Sequence, residues 1–203
     1  MTDAERAEQA IDHCMRIIKK YVTDTDRKDQ VDRLLENLGE RMFLAPASTK
    51  EDHHSAYKGG LIVHSMRVTQ RIFDICNGLG LKNDEVPHES KVIVGIFHDI
   101  GKIGSYDGIP HYLTQNSDWH RETLGQHYKY NEELNDGLTT SQRSIRILTK
   151  LGLDLTDSEY ISILFHDGLY VKENDSYSMK GSEDKLMRIT HMADSYVALI
   201  ENI

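Results

Sequence analysis

Apolar residues recur along most of this chain at intervals of three and four positions, the spacing that gives an α-helix one apolar face. The spacing predicts helices over about residues 3–20, 26–43, 61–79, 89–100, 119–134, 140–151, 157–166 and 183–202. The strict alternation of apolar and polar residues that is typical of β-strands is weak throughout the chain. The pattern therefore predicts an all-α fold.

The predicted helix at residues 89–100 is expected to lie at the centre of that fold. It contains the run Val92-Ile93-Val94-Gly95-Ile96-Phe97, and a helix that is apolar on every side is buried. Pro46 and the glycines that follow it indicate a long loop at residues 45–59. The polar residues at the end of the central helix are therefore candidates for a buried site.

No linker rich in proline, glycine or serine divides the chain. Residues 1–43 are therefore predicted to form a helical extension that packs on a main domain at residues 44–203. The two cysteines, Cys14 and Cys76, suit neither a disulfide framework nor a thiolate zinc site, and a cytoplasmic location is expected. No apolar run approaches the roughly 18 residues of a membrane span, so no membrane association is expected.

The charge of the chain changes the expected partners. Its formal net charge is -9 with histidine neutral, which disfavours a broad nucleic-acid-binding surface built from clustered lysine and arginine. Phosphate chemistry remains open, because a bound divalent metal ion reverses the local electrostatic field. The sequence also carries 11 histidines, the residue type that most often binds such metals.

Four of the candidate metal ligands lie on three predicted helices. His98 and Asp99 end the central helix, His64 shares the inward face of its helix, and Asp194 lies beside the apolar stripe of the last helix. Taken singly, each has a structural explanation: a polar helix end, a hydrogen-bonded core histidine, or a paired carboxylate. A carboxylate at an apolar face is costly unless it is paired or binds a metal, so Asp194 is the hardest to explain structurally.

The sequence around these residues carries further information. Three segments contain motifs, in this order: His53-His54-x-x-Tyr57-x-Gly59-Gly60-Leu61-x-x-His64-Ser65, His98-Asp99-Ile100-Gly101-Lys102 and Met192-Ala193-Asp194-Ser195. They resemble the first histidine motif, the HDIGK signature and the closing "AD" helix of the HD superfamily of metal-dependent phosphohydrolases. The resemblance covers about residues 45–203 and implies an HD-domain helical bundle with an N-terminal helical extension.

The resemblance also implies a cofactor and its ligands. His64, His98, Asp99 and Asp194 are expected to bind a divalent metal ion, one of Mn, Fe, Co, Ni, Zn or Mg, and Asp99 is free to bridge a second. Asp99 is expected to orient the attacking water, and Lys102 to bind the substrate and stabilise phosphate charge. For Lys102 a favourable charge at a helix C-terminus is the structural alternative.

Two further histidines lie in motifs that some HD subfamilies use. His127 in Gly125-Gln126-His127 and His166 in Phe165-His166-Asp167-Gly168 are expected to bind a second metal or to protonate the leaving group. The strongest local likeness is to the HD domain of 3′–5′ exonucleases, where the last motif usually reads His-His-Gly. Asp167 replaces the second of those histidines here, and HD 5′-deoxynucleotidases have an acidic residue where this chain has Lys102.

The expected activity is cleavage of a phosphate ester of a small nucleotide, as a phosphomonoesterase or a phosphodiesterase. Lys102, Tyr57, His54 and Trp119 are the candidate substrate-binding residues. The net charge and the lack of room for a nucleic-acid-binding module favour a small substrate over a polymer. Two alternatives stay open: a 3′–5′ exonuclease on single-stranded nucleic acid, and a catalytically idle HD protein that binds a nucleotide. The oligomeric state is not indicated.

Overall fold

The structure, a computed structural model, describes residues 1–53, 55–168, 171–175 and 184–201. Its helices are α1 (Asp3–Tyr21), α2 (Thr25–Leu38), α3 (Glu40–Leu44), α4 (Gly60–Gly78), α5 (His88–Phe97), α6 (Asp118–Leu124), α7 (Thr140–Lys150), α8 (Asp157–Phe165) and α9 (Lys185–Glu201). Short 3-10 helices cover Ile100–Ile103 and Lys172–Asn174. The predicted all-α fold class is confirmed.

Local sequence signals explain where several helices begin. Thr139 precedes α7 and Thr156 precedes α8, and each hydroxyl accepts a hydrogen bond from the backbone N–H three residues ahead. The side chains of Gln142 and Glu159 accept a hydrogen bond from the backbone N–H of the same threonines, which completes two capping boxes. Each cap contributes about 0.5–2 kcal/mol to helix stability.

The hydrophobic core centres on α4 and α5, as the apolar run in the sequence indicated. Every residue from Ser90 to Phe97 is buried, and α4 packs against α1, α3, α5 and α9. Apolar side chains of α1 and α2, such as Cys14 and Leu34, belong to the same core as those of α4 and α5. Helix α1 packs directly on α4, which carries His64, and on α5, which precedes His98.

The close crossing of α4 and α5 depends on Gly95. A Cβ atom at this position would lie 2.8 Å from the Cα of Thr69, a distance that real contacts essentially never show. We expect Gly95→Ala to lower the free energy of unfolding by about 1–3 kcal/mol, because α4 and α5 must move apart. Urea unfolding measures the effect. Gly78→Ala at the end of α4 is the matched control, since its Cβ meets nothing within 4 Å, and equal stability of the two variants would refute the close crossing.

One predicted helix is much shorter than expected. The prediction of a helix at 119–134 is wrong beyond Leu124, where α6 ends. Gly125 adopts a left-handed backbone conformation with φ of 58°, which L-residues with a side chain rarely adopt, and it caps the helix. The Trp119–Leu124 part of the prediction is correct, and the remainder forms a strand and a loop.

The structure contains a small antiparallel sheet that the sequence pattern did not predict. Strand β1 (Tyr112–Thr114) pairs with β2 (Tyr128–Tyr130), and Tyr112 lies directly opposite Tyr130. A single bridge between Lys50 and Gln126 ties the loop at 45–59 to the same region. Residues directly opposite each other in a ladder project from the same face of the sheet, so Tyr112 and Tyr130 are neighbours.

Smaller differences concern helix ends. The predicted helix at 26–43 is interrupted at Gly39, and the helix at 89–100 ends at Phe97 before the 3-10 turn at Ile100–Ile103. Within the described ranges, no helix has the length and apolar character needed to cross a membrane. The early end of α5 has a consequence for the site, because it leaves His98 and Asp99 at the junction between the helix and the 3-10 turn.

Candidate metal centre

Three helices bring the candidate ligands to one place. His64 comes from the first turns of α4, His98 and Asp99 from the end of α5, and Asp194 from the middle of α9. His64 Nε2 lies 3.0 Å from Asp194 Oδ1 and 3.7 Å from Asp99 Oδ2. Both histidines are fully buried, and the ligand atoms of His64, His98 and Asp99 lie within 4.8 Å of one another. This buried group can hold a metal ion.

His98 has the hydrogen bonding that a metal ligand requires. Its Nδ1 donates to the carbonyl of Gly95 at 3.0 Å, which leaves the Nε2 lone pair available. Nε2 lies 3.7 Å from Asp99 Oδ2 and 3.7 Å from Asp194 Oδ1, beyond hydrogen-bonding distance. It is buried and has no hydrogen-bond partner among the described residues. A buried acceptor in this state is costly unless a cation binds it.

The separations between donor atoms fit a single divalent ion. Two donors that bind one ion at about 2.1 Å with angles of about 90–120° lie roughly 3.0–3.6 Å apart. The distances of 3.0 Å from His64 to Asp194 and 3.7 Å from His98 to Asp99 lie at or close to this range. Two imidazole nitrogens with two carboxylates are a donor set that suits zinc, iron, manganese, cobalt and nickel.

Lys102 adjoins this group through Asp99. One helical turn beyond the aspartate, its Nζ lies 2.6 Å from Asp99 Oδ2. Burial raises the pKa of Asp99, but Lys102 and His166 outweigh that effect and hold the pKa well below its usual value. Burial likewise raises the pKa of Asp194, but the imidazoles of His64 and His98 outweigh that effect and hold the pKa well below its usual value. Both carboxylates are therefore in the ionised form that binds a cation.

A second group lies next to the first. His166, Asp167 and Asp194 each offer a ligand atom within 4.8 Å of the others. The Nδ1 of His166 donates to the carbonyl of Ile163 at 2.8 Å, so its Nε2 faces Asp99 at 3.5 Å and Asp167 at 3.7 Å. Burial lowers the pKa of His166, but Asp167, Asp99 and Asp194 raise it to about 10. The structure thus brings His166 to the centre together with Asp167, which replaces the second histidine of the exonuclease motif.

The structure places His127 elsewhere. Its Nε2 hydrogen bonds with Glu51 Oε1 at 2.7 Å, and its backbone N–H donates to the carbonyl of Thr49. His127 and Tyr57 line a cavity of about 630 Å³, which we call the His127 cavity. The described metal-binding groups do not include His127, so its role on a second metal stays a prediction.

Trp119 and His54 are the remaining substrate-binding candidates. Trp119 is on α6, 58% exposed, with its ring edge-on to that of His120. His54 lies outside the described residues. Among the candidates that the structure describes, Lys102 is the one shown to contact a candidate metal ligand, Asp99.

A cavity opens beside Lys102 and has a volume of about 390 Å³. We call it the Lys102 cavity, and its lining residues are Ala47, Ser48, Thr49, His53, Lys102, His111, Tyr112, Tyr130, Leu138, Thr139, Thr140 and Arg143. Its volume lies in the range typical of small-molecule sites, about 300–1,000 Å³. His53 lines both this cavity and the His127 cavity, so the two are neighbours.

Sequence reasoning missed the residue that holds one wall of the Lys102 cavity. Arg143 forms two hydrogen bonds of 2.9 Å with the carboxylate of Asp136 and donates to the carbonyls of Leu138 and Gly101. Its guanidinium also lies 3.4 Å from His111 Nδ1. The sequence could have indicated this, because Arg143 lies four positions before Ile147 and so shares the inward face of α7. Burial, then Arg143 and Lys102, lower the pKa of His111 to about 4, so its ring is neutral at neutral pH.

Comparisons with known protein families, with characterised proteins and with solved structures found no match to this chain. The likeness to the HD superfamily therefore depends on the three motifs and their order alone. What stands independently of that likeness is the arrangement of His64, His98, Asp99 and Asp194 in the fold.

Proposed function

We propose that this protein is a metal-dependent phosphohydrolase that cleaves a phosphate ester of a small nucleotide. The observation that supports it most is the convergence of His64, His98, Asp99 and Asp194 from three helices, with Lys102 2.6 Å from Asp99. A metal ion with a purely structural role needs protein ligands but no additional charged residue beside them. A lysine held against one of the ligands, at the edge of a cavity, supplies the positive charge that a phosphate group requires.

The residues of this chain have distinct roles in the proposed reaction. A bound divalent ion supplies a water of lowered pKa and neutralises phosphate charge. Asp99 Oδ2 lies 3.7 Å from His64 Nε2 and 2.6 Å from Lys102 Nζ, and in this proposal its carboxylate orients the attacking water. Lys102 binds a non-bridging phosphate oxygen, and His166 carries a proton at Nε2 for the leaving oxygen. His127 has no assigned part in this scheme, because its Nε2 hydrogen bonds with Glu51 in the neighbouring His127 cavity.

The proposed substrate is a small nucleotide because of size and charge. The Lys102 cavity of about 390 Å³ accommodates a molecule of the size of a nucleoside phosphate. The chain carries a formal net charge of -9, which repels an extended polyanion. We also propose a cytoplasmic location, because Cys14 and Cys76 are both free and buried.

A hydrolysis screen, in which chromatography separates each substrate from its products, tests the proposal. The substrates are nucleoside monophosphates, cyclic nucleotides, deoxynucleoside triphosphates and short single-stranded oligonucleotides, each with Mn²⁺, Mg²⁺, Co²⁺ and Ni²⁺. We expect at least one small nucleotide to be turned over faster than any oligonucleotide. A ladder of shortened strands without turnover of small nucleotides would instead support a 3′–5′ exonuclease. Metal-loaded protein that binds nucleotides and cleaves none of the substrates would identify an idle nucleotide-binding protein.

A further inference from the structure

The Lys102 cavity has two chemically different ends. At its inner end Lys102 contacts the candidate metal ligand Asp99, and the buried Arg143, which is paired with Asp136, lines the same cavity. At its outer end lies Tyr130, whose side chain is exposed although it belongs to a paired strand. A ligand that fills the cavity therefore meets positive charge near the metal centre and an aromatic ring near solvent.

The aromatic end is held by the small sheet. Tyr130 on β2 pairs directly with Tyr112 on β1, and their ring centroids are 5.6 Å apart. His111 packs edge-on against both rings, 4.4 Å from Tyr112 and 5.3 Å from Tyr130. The two inner rings are partly buried, so they support Tyr130 from behind and leave it 63% exposed. A ring fixed in this way loses little conformational entropy when a ligand stacks on it.

Tyr112 connects the aromatic end to the charged end. Burial raises the pKa of its hydroxyl to about 12, and the nearby Lys102 opposes that shift, so the hydroxyl stays protonated. The imidazole of His111 is neutral for the reason given above. The middle of the cavity is thus lined by uncharged aromatic groups. Such a lining suits the sugar and base of a nucleotide better than it suits a second phosphate.

We infer that the Lys102 cavity binds the nucleoside part of the substrate, with the base stacked on Tyr130 and the phosphate directed toward Lys102. This inference rests on the proposed function, and it makes Tyr130 a residue that selects nucleotides over other phosphate esters. Stacking on an aromatic ring tolerates every base, because each base has a π-face. Binding is therefore expected to depend on the presence of a base and only weakly on its identity.

The inference is tested by binding measurements that do not need turnover. The probes are adenosine 5′-monophosphate and ribose 5-phosphate analogues in which a CH₂ group replaces the ester oxygen, titrated calorimetrically into the metal-loaded protein. We expect the adenosine probe to bind at least about 10-fold more tightly than the ribose probe, as a stacked base does. Tyr130→Ala should reduce this preference to about 3-fold or less, and Tyr130→Phe, which keeps the ring, should retain it. Equal binding of both probes by the wild-type protein would overturn the inference.

A matched control separates the cavity from exposed aromatic residues in general. Tyr160 on α8 is also exposed and does not line the Lys102 cavity, so Tyr160→Ala should keep the wild-type preference. A Tyr130→Ala protein with an unchanged preference would overturn the inference as well. If phosphate esters are cleaved but the base has no effect, the cavity assignment fails and the hydrolase proposal survives. If base-dependent binding is lost in Tyr130→Ala but nothing is cleaved, the cavity assignment survives and the hydrolase proposal fails.

Discussion

Replacing His98 with alanine is expected to abolish metal binding and to lower phosphohydrolase turnover by more than about 100-fold. Loss of a residue that only orients a metal ligand already costs about 10–100-fold, so loss of a ligand should cost more. His98 is fully buried, and its Nε2 has no hydrogen-bond partner in the described part of the chain. Its removal would therefore take one donor from a bound ion, and it removes the imidazole that lies 3.7 Å from each of the carboxylates of Asp99 and Asp194.

Metal content per protein chain, measured by elemental analysis after gel filtration, reports this effect directly. Because His98→Ala also removes buried volume, Asp194→Asn is the companion variant, since it preserves shape and removes only the charge. His13→Ala on α1 is the matched control and should keep both metal and turnover. If either ligand variant retains a full complement of metal, the assignment of that residue as a ligand is wrong.

Glu159→Ala is expected to lower the free energy of unfolding by about 3–5 kcal/mol, the cost of leaving one partner of a buried ion pair behind. The carboxylate of Glu159 is 1% exposed and binds the guanidinium of Arg27, which is 12% exposed and lies 3.4 Å from Glu89. This cluster joins α2, α5 and α8, so it ties the N-terminal helices to the rest of the fold. The loss of Glu159 leaves the largely buried guanidinium of Arg27 with the carboxylate of Glu89 in place of two carboxylates, where water solvates it poorly.

Urea unfolding of paired variants separates the charge of Glu159 from its other role. Glu159 also completes the capping box of α8, and Glu159→Gln keeps that hydrogen bond while it removes the charge. We expect Glu159→Gln to lower the free energy of unfolding almost as much as Glu159→Ala does. Glu85→Ala, which breaks a surface pair with Lys185, should leave stability almost unchanged. An equally small loss in Glu159→Ala would contradict the role assigned to the buried cluster.

The sequence predicted the features that depend on local periodicity. Apolar residues at helical spacing located the main helices, and the apolar run at Val92–Phe97 correctly indicated the buried helix at the centre. The same patterns placed His64, His98 and Asp194 on inward faces, and the structure brings them within a few ångströms of one another. Their roles as ligands stay predictions until metal is measured.

The features that the sequence did not predict depend on contacts between distant segments. Strands β1 and β2 are three residues each, too short for an alternating pattern to emerge, and their pairing is supported by backbone hydrogen bonds from the loop at 45–59. That loop also supplies Glu51, which hydrogen bonds with His127. The pairing that brings Tyr112 and Tyr130 together in the Lys102 cavity therefore had no local signature.

An anomalous diffraction measurement tests the central claim most directly. Crystals of the protein loaded with Mn²⁺ are measured at the manganese absorption edge, where the ion itself produces a peak. We expect a peak about 2.0–2.3 Å from His64 Nε2, His98 Nε2 and carboxylate oxygens of Asp99 and Asp194. A second peak beside His166 and Asp167 would indicate a two-metal centre. A peak only at another position, such as between His127 and Glu51, or no peak in catalytically active crystals, would contradict the proposed metal centre.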